Sequence, residues 1–547
     1  MTPHTNGWHE PLCFGDLASD AARRWGERTA LVFQGRRTTY AELSAQVDQA
    51  AKALMAAGVR RKDHVALWLN NSDRWVVIAL AILKTGAVLV PINTRFRTHD
   101  LDYVLRQSDS NFLITHDVSG PIDYLAMVRE VVKLPDQGSN IQDPSFPELR
   151  SVLIVGKPGH AGVLGWEDAL AGASTVPQAD LDTRAAAVQP QDLALIKYTS
   201  GTTGFPKGAM HCHNLIRNVQ ERGGRMGMRA QDVIIGYLPL FHAFGFSECL
   251  LMALVNGAKH VVTETFNPAE ALDMIEAEGV TIAHGFDAHI KGLYEEQERR
   301  PRNIATLRTG VWGAGPLSTT PVMYKGAAVL APCRSVSGFG MTEVWIGVTW
   351  NSLDDPMEQR LEANGWEGVG YAFRIADPAT DAPVADEVEG ELQVRGRYLM
   401  LGYYKKPDET RASYSADGWF KTGDAAKRRA DGTMHFLGRH KDMLKVGGEN
   451  VDPMEIEGML RALKGVHEVS VVAAPDPVLN EVAVAYVQRA EGSALTEAEI
   501  INSVRGKVAS FKIPRYVVFI DEFPMTASGK IRKVELRADA KERFASE

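Results

Sequence analysis

A polar loop at residues 198–208 has the composition of a phosphate-binding loop. It reads Tyr-Thr-Ser-Gly-Thr-Thr-Gly-Phe-Pro-Lys-Gly, so it offers hydroxyl donors, free backbone N–H groups and the cation of Lys207. Those are the groups that a phosphate chain requires. Because Lys207 stands between proline and glycine, the loop departs from the Walker pattern. A strand predicted at 193–198 leads into the loop and a predicted helix begins at Asn214, which argues against a flexible linker.

A second segment, Ser-Gly-Phe-Gly-Met-Thr-Glu at residues 337–343, has groups suited to a nucleotide. Gly338 and Gly340 allow the backbone to approach a flat base, and Phe339 offers a stacking face. Glu343 supplies the oxygen ligand that Mg²⁺ prefers. Alone, the segment fits a glycine-rich turn equally well. Next to the phosphate-type loop, a nucleotide site is the better interpretation.

Two further segments carry charged groups in turn-like settings. Thr-Gly-Asp at 422–424 precedes a predicted hairpin, and Arg439 follows in the same region. A carboxylate such as Asp424 can accept hydrogen bonds from both hydroxyls of a ribose. Near the C-terminus, Lys530 ends the sequence Pro-Met-Thr-Ala-Ser-Gly-Lys. Either pattern alone would indicate only a surface turn or a solvated lysine.

Together these segments resemble the motifs of the adenylate-forming superfamily, which contains acyl-CoA synthetases, luciferases and peptide-synthetase adenylation domains. The resemblance extends over nearly the whole chain. It implies a two-step reaction in which ATP and a carboxylic acid give an acyl-adenylate and pyrophosphate, and a thiol then gives a thioester and AMP. Coenzyme A is the expected thiol, and ATP and Mg²⁺ are the expected cofactors.

The resemblance also assigns roles by position. Nucleotide contacts are implied for Thr199, Ser200, Gly201, Thr202, Thr203, Gly204, Lys207, Gly315, Pro316, Gly338, Phe339, Gly340, Met341, Thr342, Asp424, Arg439 and Lys530. Catalytic roles are implied for Lys530, Glu343, Thr342 and His242. Magnesium ligands are implied for Glu343 and Thr202. The hinge and the coenzyme A tunnel would be formed by Lys441, Lys445, Gly447 and Gly448. The family commonly has tyrosine where this chain has Phe339, and alanine where it has Gly315.

The acyl pocket is also implied by the resemblance. Its expected residues are His242, Phe246, Phe286, Trp312 and Gly313. Domains that adenylate amino acids usually carry aspartate at the position of His242, so histidine argues against an amino-acid substrate. A buried, hydrogen-bonded structural role remains the alternative for His242. The aromatic side chains favour an apolar aliphatic or aryl acid, and we expect Asp287 to cap the following helix.

The elements around these motifs predict an α/β fold. Buried strands at 65–69, 87–91 and 112–115 alternate with helices at 38–58 and 75–83, which is typical of a mostly parallel sheet. The same alternation returns between 193 and 345, and short strands with turns dominate after about 385. The resemblance implies a large layered N-terminal domain at 1–440, including a small strand-rich subdomain. A small mobile α+β C-terminal domain at 441–547 would carry the catalytic lysine.

Composition narrows the function classes. The formal net charge of −8 gives no reason to expect a nucleic-acid partner. The four cysteines have no metal-type spacing and indicate a reduced, cytoplasmic protein. The N-terminus lacks the pattern of a signal peptide. The longest apolar run, 75–83, is too short to span a membrane, so no membrane span is predicted.

Three other functions fit parts of the sequence. The first is an acyl-AMP ligase that loads a separate carrier protein. A luciferase-like oxygenase is the second, although no residue demands it. The third is a non-catalytic binding module, and the presence of Lys207, Glu343, Asp424 and Lys530 weighs against it. The identity and chain length of the acid are not encoded in any motif.

Overall fold

The computed structural model describes residues 13–199, 206–313, 319–439, 442–446, 449–451, 453–476, 479–505, 510–525 and 531–544. Of Arg439 and Lys445 only the backbone is described. Some predicted site residues lie outside the described ranges: Ser200, Gly201, Thr202, Thr203, Gly204, Gly315, Pro316, Lys441, Gly447, Gly448 and Lys530.

The first large sheet has eight strands. In spatial order they are Gly402–Tyr403, Lys207–Cys212, Leu193–Thr199, Val88–Pro91, His64–Trp68, Phe112–His116, Ser151–Val155 and Leu164–Gly165. The pairs from Leu193–Thr199 onward are parallel, whereas the first two pairs are antiparallel.

The second large sheet has seven strands. They are, in order, Arg334–Val336, Thr309–Val311, Ile282–Ala283, Val233–Gly236, Lys259–Val262, Thr29–Phe33 and Arg36–Thr39. All neighbours are parallel except the last pair. The mostly parallel, layered architecture predicted from the alternation of strands and helices is therefore confirmed.

Helices cover and separate these sheets. In the N-terminal part they are Leu17–Trp25, Tyr40–Ala56, Asp73–Lys84, Thr98–Gln107, Tyr124–Val131, Trp166–Gly172, Gln178–Ala186, Ile216–Arg225, Met252–Asn256, Pro268–Glu278, Asp287–Arg299, Thr320–Val329, Met357–Glu362 and Pro407–Ala412, with a π-helix at Gly245–Leu251. Thr39 and Glu42, three residues apart, have the spacing of a capping box, and the box is present: Thr39 Oγ1 accepts from the Glu42 amide, and the Glu42 carboxylate accepts from the Thr39 amide.

Alternation along the strand at 64–68 shows how the core is divided. Val65 and Leu67 pack into the main core, which also contains buried residues of the seven-stranded sheet. Ala66 and Trp68 face the opposite side and pack into a second core with the helices at 98–107 and 124–131. Both faces of the eight-stranded sheet are thus buried, as expected for parallel strands.

Smaller sheets are also present in the N-terminal part. One antiparallel sheet contains Tyr371–Ala376, Gly390–Gly396, Phe420–Arg428 and Met434–Arg439, and another contains Gly338–Met341, Trp345–Trp350 and Trp366–Glu367. A third, small sheet pairs Val118–Ser119 with Ile122–Asp123. The predicted strand-rich region after residue 385 is confirmed.

The C-terminal part has its own α+β fold and two cores of its own. Its strands are Leu444–Val446, Glu449–Val451, Val466–Asp476, Asn480–Arg489 and Tyr516–Phe519, and its helices are Pro453–Arg461, Glu497–Val504 and Lys533–Phe544. Proline at the first helical position suits the start of the helix at 453–461. Among the helices of the described residues, none is long and apolar enough to cross a membrane.

Candidate active site

The predicted site residues gather where parallel strands end. The phosphate-type loop follows the strand Leu193–Thr199 of the eight-stranded sheet. The segments at 237–246, 284–286, 312–313 and 337–343 follow four parallel strands of the seven-stranded sheet. Ligands of α/β proteins bind at such carboxyl edges, because the loops there converge from neighbouring strands.

An antiparallel strand pair frames the phosphate-type loop. Thr199 and Lys207, the last and first residues of the two strands, lie directly opposite each other. On the outer side of the pair, the Tyr198 hydroxyl donates to the Gln107 side chain and the Tyr103 hydroxyl donates to the Pro206 carbonyl at 2.9 Å. The ends of the loop are therefore fixed by residues of the helix at 98–107.

Glu343 and Lys207 meet around a tyrosine that the sequence motifs did not indicate. Tyr403 donates its hydroxyl hydrogen to Glu343 Oε1 at 2.9 Å, and Lys207 Nζ lies 4.9 Å from the centre of the Tyr403 ring. The strand Gly402–Tyr403 reaches this position because it pairs with the strand Lys207–Cys212. Burial and the nearby Glu343 charge raise the pKa of Tyr403 well above its usual value, so the phenol stays a donor.

The glycines at 338 and 340 are required by packing within their own hairpin. A Cβ at Gly338 would lie 2.1 Å from the Trp350 ring, and one at Gly340 would lie 2.7 Å from the Ile346 Cα. Phe339 packs against Phe436, with ring centres 5.7 Å apart. Close approach of a base is thus not needed to explain either glycine.

Thr342 is anchored through its backbone. His211 Nε2 donates to the Thr342 carbonyl at 2.7 Å, and His211 is buried. Burial lowers the pKa of His211 to about 4, so the ring is neutral at physiological pH. The histidine thus links the strand after the phosphate-type loop to the segment that carries Glu343.

Asp424 and Arg439, both implied as nucleotide contacts by the resemblance, lie on neighbouring strands. They are directly opposite residues on the antiparallel strands Phe420–Arg428 and Met434–Arg439. Asp424 is buried, and its amide donates to the Thr422 hydroxyl at 3.1 Å. The expectation that this motif precedes a hairpin is wrong, since it lies within the first strand of the hairpin.

His242 lies on a loop that is fixed by an asparagine. Asn71 is buried, its amide nitrogen donates to the Leu238 carbonyl at 2.9 Å, and its oxygen accepts from the Leu240 amide at 2.8 Å. His242 itself is exposed, and its Nδ1 accepts from the Phe244 amide at 3.3 Å. The alternative of a buried structural histidine is therefore wrong, because the loop turns this side chain outward.

The expected acyl-pocket residues form two groups. Phe286 is 45% exposed, and its ring centre lies 5.0 Å from that of Phe244. A Cβ added at Gly313 would lie 3.0 Å from the Phe286 ring. Trp312, next to Gly313, is almost fully buried and donates to the Ala283 carbonyl at 3.3 Å.

The second group surrounds Phe246, which is fully buried. The rings of Phe14, Trp75 and Trp345 lie 5.9, 6.0 and 6.4 Å from the Phe246 ring. Phe246 thus belongs to the packed base of the site, whereas Phe286 stands at its open side.

One local expectation is wrong. Asp287 does not cap the helix Asp287–Arg299, since Phe286 is the extended N-cap residue and Asp287 is already helical. The helix begins one residue earlier than an Asp287 cap requires. A carboxylate in the first helical turn still interacts favourably with the positive helix end.

A buried ion pair supports the second group from beneath. Arg222 and Glu248 are both fully buried and form a salt bridge, and Arg222 also donates to the Ser247 hydroxyl at 2.7 Å and to the Ile346 carbonyl at 3.0 Å. Glu248 and Ser247 belong to the π-helix at 245–251. The extra residue in a π-turn is a common feature near functional sites.

Two family models match the sequence of this chain. Residues 18–404 match the model of the AMP-binding enzyme family, and residues 455–530 match the model of the AMP-binding enzyme C-terminal domain. The predicted boundary between 440 and 441 falls between the two matched spans.

Individual relatives are similar over their full length. A putative acyl-CoA synthetase, YngI, of Bacillus subtilis (strain 168) is 34% identical over 536 residues, covering 97% of each chain. A CoA ligase of Rhodococcus jostii (strain RHA1), named for a methyl-dioxo-octahydro-indenyl propanoyl group, is 32% identical over 534 residues, covering 97% of this chain and 99% of the relative. The crystal structure of ATP-bound MatB from Rhodopseudomonas palustris superposes with a TM-score of 0.81 at 28% identity, covering 97% of this chain and 99% of MatB.

Proposed function

The chain belongs to the AMP-binding enzyme family, and we propose that its ligase reaction is carried out by the residues gathered at the carboxyl edges of the two large sheets. The reaction is that of an AMP-forming acyl-CoA synthetase. A carboxylate oxygen attacks the α-phosphorus of ATP and pyrophosphate leaves. The sulfur of coenzyme A then attacks the acyl carbon, and AMP leaves. Relatives named as CoA ligases do not favour the alternative of a separate carrier protein.

The observation that carries this proposal is the cluster of Lys207, Tyr403 and Glu343 at the end of the phosphate-type loop. Lys207 would attract the phosphates, and Glu343 with Thr202 would hold Mg²⁺, since both offer hard oxygen ligands. The buried carboxylate of Glu343, oriented by a phenol, fits such an ion. When bound, Mg²⁺ would neutralise phosphate charge. The protein itself supplies positioning and charge, because no enzyme nucleophile is needed.

The remaining nucleotide contacts are proposed by position. Asp424, paired across the hairpin with Arg439, would accept hydrogen bonds from the ribose hydroxyls. The segments with Gly315, Pro316, Phe339 and Met341 would enclose the base. Thr342 would contact the α-phosphate, and its carbonyl anchor on His211 would hold it in place.

For the second step we propose that the C-terminal domain moves about Lys441. In the adenylating arrangement it would bring Lys530 to the α-phosphate. In the thioester-forming arrangement Lys445, Gly447 and Gly448 would line the path of the pantetheine. We keep the domain boundary between 440 and 441, in agreement with the gap between the two matched family spans.

We further propose that the acid is apolar aliphatic or aryl in its body. Phe286, Phe244 and Trp312 offer an aromatic wall at the open side of the site, and the exposed His242 would stand between the acid and the phosphates. The four cysteines are all buried and unpaired, which supports a reducing compartment such as the cytoplasm.

The test is AMP release by the purified protein with ATP, Mg²⁺ and a mixed acid library, with and without coenzyme A. We expect AMP and a thioester to accumulate only when coenzyme A is present. The variant Glu343→Gln keeps an acceptor for Tyr403 but removes the charge, so it should fold normally and lose most of this activity. The proposal would be rejected if AMP formation required a carrier-protein thiol, or if no acid in the library led to AMP formation.

A further inference from the structure

Lys197 places a positive charge inside the site. It lies in the strand Leu193–Thr199, only 3% exposed, two residues before the end of the strand. Because side chains alternate along a strand, Lys197 shares a face with Leu195 and Thr199. That face leads directly to the phosphate-type loop.

The contacts of Lys197 lie on the acyl side of the site. Its Nζ donates to the Phe241 carbonyl at 2.8 Å and lies 5.1 Å from the centre of the Phe246 ring. An ammonium group has three N–H donors, so one carbonyl leaves it under-satisfied. Within the described residues no carboxylate lies at ion-pair distance from it. Burial lowers the pKa of Lys197 to about 7, which reflects the cost of an uncompensated buried charge.

Two more buried polar atoms belong to rings of the same aromatic cluster. His211 uses Nε2 as donor to Thr342, so its Nδ1 is an acceptor, and that atom is buried with no hydrogen-bond partner among the residues described. The indole nitrogen of Trp345 is also buried and has no partner in the described ranges. The rings of His211 and Trp345 lie 5.2 Å apart. Trp345 has a φ of 62°, a strained conformation for a bulky residue.

The other buried lysine of the described residues is treated differently by the fold. Lys84 is 7% exposed, forms a salt bridge with Asp48, and donates to the Ser19 hydroxyl at 3.0 Å. The chain thus provides a carboxylate for a lysine whose role is structural. Lys197 is buried as well, at 3% exposure, and has no such carboxylate in the part of the chain that the structure describes.

We propose that Lys197 is a specificity-determining residue that binds an acceptor oxygen on the acyl part of the acid, away from the carboxylate that is activated. The inference rests on the proposed acyl-CoA synthetase function and narrows its substrate class to acids with an apolar body and a second oxygen function. A ketone, a hydroxyl and a second carboxylate share this chemistry. The donor of Trp345 and the acceptor of His211 would complete the contacts.

Two other roles for Lys197 would give different results in variants of this residue. If it only supports the Phe241 carbonyl, a neutral amide donor would replace it. If it binds the activated carboxylate, its loss would slow all acids equally. Its position over Phe246, a ring at the packed base of the site, favours contact with a deeper part of the acid.

The experiment compares acids in matched sets of equal length: an unsubstituted acid, its keto derivative and its dicarboxylic derivative, in aliphatic and phenyl series. The kcat/KM for AMP formation is measured for the wild-type protein, Lys197→Met, Lys197→Gln and the control Lys84→Met. We expect the wild-type protein to prefer an oxygenated member of at least one set. Lys197→Met should lower that preference about 10- to 100-fold, the effect of one charged hydrogen bond. Lys84→Met should leave the preference unchanged.

Lys197→Gln retains a donor for the Phe241 carbonyl, so it should fold even if Lys197→Met does not. It should lose the preference for the dicarboxylic member. An unchanged preference in Lys197→Met, equal slowing of all acids, or full rescue by Lys197→Gln would overturn the inference. If the wild-type protein prefers no oxygenated acid in any set, that result alone would overturn the inference. AMP formation with no acid at all would instead reject the proposed function, and this inference with it.

Discussion

The nucleotide half and the acyl half of the site are built in different ways. In the nucleotide half, Glu343 accepts a hydrogen bond from Tyr403, and Asp424 lies opposite Arg439 in the register of two paired strands. In the acyl half, Lys197 lies over Phe246 in the packed base, and no carboxylate of the described ranges is at ion-pair distance from it. Groups proposed to recognise phosphate and ribose stand in short sequence motifs. Groups that would recognise the acid come from positions far apart in sequence.

The largest effect on stability is expected for the buried ion pair beneath the acyl half. Arg222→Met leaves Glu248 charged and buried without its cation, which typically costs about 3–5 kcal/mol of stability. Urea unfolding followed by tryptophan fluorescence should show this loss. The double variant Arg222→Met with Glu248→Leu removes both charges and should recover much of it. If the single variant is as stable as the wild-type protein, the acyl half does not depend on this pair.

The next largest effect tests the nucleotide half. A lysine that donates to charge developing on the α-phosphate should stabilise the transition state more than the ground state. Lys530→Ala should therefore slow adenylation by about 10²–10³. Thioester formation from synthetic acyl-adenylate should be spared, because Lys530 is expected to have moved away in that step. Equal loss in both steps would show that the lysine does not act in adenylation alone.

The charge of Lys197 should make the stability of the acyl half depend on pH. Its pKa is about 7 in the folded protein and about 10.4 in an unfolded chain, so between these values the unfolded chain binds more protons. Folding stability therefore rises with pH across this range, by at most about 1.4 kcal/mol per pH unit. His211, which faces Lys197, is neutral throughout.

Lys197→Met removes this dependence. Its gain in stability over the wild-type protein should be largest near or below pH 7 and should shrink as the pH rises toward about 10. Unfolding free energies measured at several pH values would show it. The control Lys84→Met leaves Asp48 without its cation, so it should destabilise at every pH in this range. A constant difference between wild type and Lys197→Met would show that folding does not lower the pKa of Lys197.

The contrast between the halves also explains what the sequence could predict. The parallel sheets and the Thr39–Glu42 capping box follow from local patterns, and the structure contains both. Tyr403 was missed because an edge strand from a remote segment brings it to Glu343. The exposure of His242 depends on a loop pinned by Asn71, which is 171 positions away in sequence. Such placements depend on tertiary packing, which periodicity does not encode.

One signal in the sequence was available and unused. The strand Leu193–Thr199 is apolar except for a lysine near its end, in Leu-Ala-Leu-Ile-Lys-Tyr. A lysine at such a position conflicts with burial of both faces of a central strand. Conflicts between local composition and global fold tend to mark functional positions.

The smallest effect is expected when the hydrogen bond between Tyr403 and Glu343 is removed, and it tests whether the two halves are independent. Tyr403→Phe keeps the ring beneath Lys207 and removes only the hydroxyl that orients the carboxylate. Loss of a hydrogen bond to a charged group costs about 1.5 kcal/mol or more, so we expect roughly a tenfold weakening. Because the carboxylate would bind Mg²⁺ and so help to hold the nucleotide, the KM for ATP and the Mg²⁺ requirement should rise, while the KM for the acid stays nearly constant.

The matched control is Tyr404→Phe, because the Tyr404 hydroxyl donates to Asp109 at 2.8 Å and not to Glu343. It should leave both constants unchanged. A change in acid preference in Tyr403→Phe would show that the two halves are coupled through Glu343, and the separation drawn here would not hold.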